Sequence, residues 1–159
     1  DSAKPLRDVA IQRLRKQCRR LLKSVDRAFK GEPTDEALHA VRIVCKKGRY
    51  LMEEFGIWCH PEALTLVVKA CRRLQTALGN VNDLAVQRRQ MMALLNDPDG
   101  GQPTSAAEAA ALGALVAALD LRQRDWRERA FARLSRLRAG RTRKAVKSLC
   151  SQPEVAKHG

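Results

Sequence analysis

Apolar positions recur along this chain at intervals of three and four, the period of an amphipathic helix, and no segment sustains the alternation of a half-buried strand. Leu14, Cys18, Leu21, Leu22, Val25 and Phe29 mark the buried side of a first helix from Pro5 to about Lys30, stopped by Gly31 and Pro33. Thr34 is the expected N-cap of a central helix, with Asp35 and Glu36 in its first turn and Gly56 as its C′ residue. Ile57 to Pro61 reads as a turn. A third helix is expected from Glu62 to Leu78, closed by Gly79, and a fourth from Asn80 or Asn82 to Leu95. Asp83 would lie in the first turn of that fourth helix, either capping it or holding a basic residue of a cleft; capping is the simpler role. After the loop Asn96–Gly101, Ser105 with Glu108 is a capping-box signature opening a long helix, Ala106 to Arg138, that ends at Gly140. A short helix from Thr142 to Leu149 follows. The chain is therefore expected to be all-α, an antiparallel helical bundle of about five helices. Residues 1–150 read as one domain and residues 151–159 as a flexible tail.

The central helix carries the most informative pattern. His39, Arg42, Lys46, Arg49 and Glu53 are spaced by 3, 4, 3 and 4 residues. At about 100° per residue they form one narrow stripe, roughly 20 Å long. Leu38, Val41, Cys45 and Met52 flank it on one side, and Ile43 and Tyr50 on the other. Cations between two apolar rows suggest a charged row turned toward a cleft; a plain solvated stripe is the competing reading. Like charges at these spacings repel unless counter-charge is supplied. Glu53 brings one negative charge, and a bound polyanion could bring the rest. Gly48, inside this helix, costs roughly 1 kcal/mol of helix propensity against Ala, which close approach of a neighbouring helix would explain.

A second basic row lies on the first helix, at Lys16, Arg20, Lys23 and Arg27. Residues 1–30 hold ten basic and three acidic side chains, a net of +7. A short connection makes the first two helices antiparallel neighbours, so this row either shares the cleft of the central stripe or stands exposed. Residues 122–147 hold eleven basic and two acidic side chains, a net of +9.

Composition sharpens this picture. The net charge is +14 over 159 residues, which implies a polyanionic partner: nucleic acid, polyphosphate or an anionic membrane surface. Aromatics make up only 4%, so the core is Leu, Val and Ala, and few rings are on hand to stack on bases. No apolar run is long enough for a membrane span. Five cysteines without a C-x-x-C pair fit reduced thiols and a cytoplasmic setting. Cys59-His60 has no second pair at zinc-site spacing and reads as chance proximity, and no metal or cofactor is expected. The chain begins at Asp1 rather than Met, as expected of a processed product or a fragment.

His39-x-x-Arg42-x-x-x-Lys46-x-x-Arg49-Tyr50, followed by Leu74-Gln75-x-x-Leu78-Gly79-x-x-Asn82-Asp83, resembles the CHAD domain, the conserved-histidine α-helical domain, and looks most like the second of its two repeats. That resemblance implies one half of a pseudo-two-fold arrangement of four-helix units, whose basic side chains line a cleft for inorganic polyphosphate. It points to His39, Arg42, Lys46 and Arg49 as polyphosphate contacts, with Lys47, Lys16, Arg20, Lys23 and Arg27 as further candidates. It also implies association with polyphosphate or storage granules. Only one copy of the motif is present, so an N-terminal CHAD half is missing or two copies associate as a homodimer.

The chemistry suits that ligand. A linear phosphate polymer offers charge without bases, and its complement is a row of cations on a rigid element, Arg binding in bidentate fashion and Lys as a point charge. His39 adds a donor whose charge depends on pH. The main alternative is a nucleic-acid-binding basic helical module. Catalysis is not expected: His39 could act as a base, but there is no P-loop and no carboxylate cluster for magnesium. Docking to an acidic protein or a granule surface is a fourth role, compatible with the first.

Overall fold

The computed structural model describes residues 3–97, 99, 103, 105–149 and 151. They form five α-helices and no strand: α1 (Ala3–Ala28), α2 (Asp35–Phe55), α3 (Pro61–Leu95), α4 (Ala106–Arg138) and α5 (Gly140–Ser148), with a 3-10 turn at Gly56–Trp58. The all-α helical fold expected from the sequence is the one found. The loose tail expected at Ser151–Gly159 lies outside the described residues, apart from Ser151.

Two compact units are present. One comprises the described parts of Asp1–Gln75 and Ala132–Gly159; the other is Thr76–Phe131. In the first unit, α1 buries Ala10, Leu14, Gln17, Leu21, Val25 and Ala28, and α2 buries Leu38, Val41, Cys45, Gly48 and Met52. Each set falls on one helical face. Gln17 reaches Val44, and Arg27 lines the same small cavity as Ala37, so the two helices run antiparallel. Val67, Cys71 and Leu74 of α3, Leu134 and Leu137 of α4, and Val146 and Leu149 complete this core. In the second unit, Ala77, Leu78, Val81 and Leu84 are buried, and Arg88 of α3 is paired with Asp120 of α4.

Local signals behave as expected at three ends. The Thr34 hydroxyl accepts from the Ala37 amide at 3.1 Å, the Ser105 hydroxyl accepts from Glu108 at 3.2 Å, and Gly140 adopts φ 78 at the break between α4 and α5. Two glycines depart from expectation. Gly79 does not close a helix: α3 runs unbroken from Pro61 to Leu95. A single glycine costs a helix interior only about 1 kcal/mol, which burial of Ala77, Leu78, Val81 and Leu84 around it outweighs. Asn80 accordingly donates to the Thr76 carbonyl inside the helix instead of capping one, and Asp83 sits in mid-helix rather than in a first turn. Gly56 follows α2 as expected, but with φ −63 it leads directly into the 3-10 turn. Its lack of a side chain serves packing, since a Cβ there would stand 2.6 Å from Leu64 Cδ2. At Gly48 the reverse holds: a Cβ would meet Gln17 Cγ at 3.5 Å, an ordinary contact, so close helix approach does not demand this glycine.

Candidate functional site

The stripe of α2 stands beside the buried row, displaced by roughly 60–100° around the helix. Arg42 and Arg49, nearest the buried Cys45 and Met52, are half-buried; His39 and Lys46, further round, are exposed. The second apolar row is not covered as the sequence suggested, for Ile43 is 40% and Tyr50 51% exposed. The stripe therefore borders solvent on one side and packed structure on the other.

The packed side is α3. Cys45 Sγ donates to the Cys71 carbonyl at 3.4 Å, and Arg49 Nε donates to Gln75 Oε1 at 2.8 Å. Arg49 Nη1 also donates to both carboxylate oxygens of Glu53, at 2.8 and 3.1 Å, and Arg72 Nη2 reaches Glu53 Oε1 at 2.8 Å. The two guanidinium groups, Arg72 first and Arg49 second, hold the Glu53 carboxyl below its ordinary range. The Arg49 guanidinium lies 4.6 Å from the centre of the Tyr50 ring.

α1 lies against a different edge of α2. Gln17 Nε2 donates to the Val44 carbonyl at 2.8 Å, and Gln17 is the nearest side chain over Gly48. Val44 and Gly48 are on the far side of the buried row from Arg42, Lys46 and Arg49, so α1 does not face the stripe. Lys16, Arg20, Lys23 and Arg27 are all exposed on α1. Of the two readings of that row, the solvated one describes its placement. Lys47 points about 100° beyond Lys46, away from α3.

The stripe is thus divided electrically. At one end Arg49 and Arg72 share the carboxylate of Glu53. Toward the other end, the side chains of His39, Arg42 and Lys46 have no hydrogen bond or ion pair among the described residues. Arg72 and Gln75 were not picked out by the sequence as members of the site. Gln75 lies in the L-Q-x-x-L-G segment, but only its approach to Arg49 gives it a role. The Cys59-His60 pair has a packing explanation: His60 Nε2 lies 3.0 Å from the Ser151 carbonyl and its amide donates to Leu149, joining the start of α3 to the end of α5. Among the described residues no helix is long and apolar enough to cross a membrane.

The CHAD domain family model matches residues 1–92, which include α1, α2 and most of α3. The chain belongs to the CHAD domain family. Comparison with curated proteins and with solved structures gives no match. The matched span includes the complete stripe together with the α3 residues that border it.

Proposed function

We propose that this CHAD domain binds inorganic polyphosphate, without catalysis, along the α2 edge that carries His39, Arg42, Lys46 and Arg49. The observation that carries this reading is the run of cations at Arg42 and Lys46, with His39 beside them, whose side chains make no hydrogen bond or ion pair among the described residues. Like charges on one helix edge are unfavourable alone and become favourable when a polyanion lies along them. A flexible phosphate polymer fits a straight row better than a duplex does, and the low aromatic content gives little support to base stacking. The exposed row Lys16, Arg20, Lys23 and Arg27, with Lys47, would act at longer range or as a secondary surface. We further propose that the domain works in the cytoplasm at polyphosphate-bearing granules, beside a second CHAD half or a second copy of itself.

Calorimetric titration with long-chain polyphosphate, against duplex DNA of matched charge, tests this reading. Binding that Arg42→Ala with Lys46→Ala abolishes, and DNA binding far weaker, is the expected result. Equal binding of both polymers, unchanged in the double variant, would overturn it and move interest to the arginine-rich end of α4. Phosphate release by the wild type, lost in His39→Ala, would refute the non-catalytic part.

A further inference from the structure

Glu53 occupies the next position of the stripe after Arg49, four residues on, so it lies along the path of a linear anion on His39, Arg42 and Lys46. Its carboxylate takes the Arg49 guanidinium through both oxygens and shares one oxygen with Arg72. Phosphate oxygens accept from arginine nitrogens as carboxylate oxygens do, so they can replace this contact. The three side chains are accessible: 20% exposed for Arg49, 32% for Glu53 and 63% for Arg72. Exchange of one anion for another there needs no unfolding, and ion pairs this exposed contribute little to stability. Next to Glu53 and Arg72 opens a cavity of about 550 Å³ that Lys69 and Arg73 also line. Arg49 is held in place independently by Gln75, so it stays poised when the carboxylate leaves.

We propose that Glu53 is an internal counter-anion which polyphosphate displaces, making Arg72 a further contact and Glu53 the residue that sets affinity and chain-length preference. This rests on the polyphosphate reading above. An anion short enough to sit on His39, Arg42 and Lys46 leaves the Glu53 pairs intact. A longer one continues along the row, takes Arg49 and Arg72 from the carboxylate, and gains two guanidinium contacts. Wild-type protein should therefore favour long-chain polyphosphate over tripolyphosphate by less than a plain cationic row would, since only the longer anion has to displace the carboxylate.

The test measures the affinity of the full chain for both probes in wild type, Glu53→Gln, Arg72→Ala and the Arg42→Ala/Lys46→Ala variant, with helix content and thermal midpoint recorded for each. Glu53→Gln should tighten long-chain binding by about three- to tenfold at low salt, through loss of the competing carboxylate, tighten tripolyphosphate binding less, and so widen the gap between the probes. Arg72→Ala, at an exposed site that does not threaten folding, should weaken long-chain binding about fivefold and tripolyphosphate binding much less. A Glu53→Gln protein that is folded yet binds both probes as wild type does, or more weakly, would overturn the proposal. So would an Arg72→Ala protein with unchanged long-chain affinity, which carries the decision should Glu53→Gln fail to fold. Wild-type binding that survives loss of Arg42 and Lys46, or no binding at all, refutes the polyphosphate reading itself and this inference with it.

Discussion

Arg143 on α5 grips Asp26 on α1 through two nitrogens, at 2.8 and 2.9 Å, across 117 residues of sequence. Hydrogen bonding to Arg143 holds the Asp26 carboxyl below its ordinary value of 3.8, as Arg72 and Arg49 hold Glu53 below 4.5. Both groups are depressed in the folded state. Their contribution is therefore fully present above the ordinary values and is lost as pH falls through the folded ones. Thermal midpoints should hold from neutral pH to about 4.5 on this account and drop below it. In Asp26→Asn the part of that acid drop due to Asp26 should vanish, at a neutral-pH cost under about 1 kcal/mol because the pair is solvent-screened. An acid profile identical to wild type would mean the pair does not persist in solution.

The glycines should separate by sign. Gly79→Ala meets nothing within 4 Å and Gly48→Ala makes an ordinary contact, so each should raise stability by about 0.5–1 kcal/mol. Gly56→Ala must push the half-buried end of the Leu64 side chain aside and should cost up to about 1 kcal/mol. Denaturant midpoints of the three variants are the measurement. A destabilised Gly79→Ala would show that α3 bends or ends there after all.

Salt dependence should distinguish the two basic rows. Lys46→Ala alone should lower the slope of log affinity against log salt by about 1, as one phosphate contact disappears. Neutralising Lys16, Arg20, Lys23 and Arg27 together should change affinity by less than about threefold near physiological salt, since α1 docks on the other edge of α2 and salt screens exposed charges beyond about 8–10 Å. Titrations at three salt concentrations decide it. The opposite ranking would put the site on α1.

Thiol reactivity should follow burial. Cys45 and Cys71 are both fully buried. The Cys45 thiol is pushed well above its ordinary value by its bond to Cys71 and by burial. In a Cys150→Ser background, native protein should therefore react at half-exposed Cys18 within minutes, while Cys45 and Cys71 wait for unfolding. Fast labelling of Cys45 would show that α2 and α3 separate readily.

How much of this was legible in the sequence depends on the range of the physics. Caps at Thr34 and Ser105 and the break at Gly140 are local hydrogen-bonding and φ effects, decided within a few residues, and they stand where the sequence puts them. The all-α fold and the buried row Leu38, Val41, Cys45 and Met52 follow from helical periodicity alone. So does the alignment of His39, Arg42, Lys46, Arg49 and Glu53 on one edge, since a helix offers no other arrangement. Gly79 was misread because its local cost is about 1 kcal/mol, less than the burial its neighbours gain by continuing the helix. Only the tertiary structure decided which helix each edge of α2 would meet. That choice turns on how α1 and α3 pack around one buried row, a rotation that periodicity leaves open. It sets Arg49 against Gln75, brings Arg72 to Glu53, and leaves Ile43 and Tyr50 in solvent. The stripe is a property of the sequence; its division into a neutralised end and an unpaired end is a property of the fold.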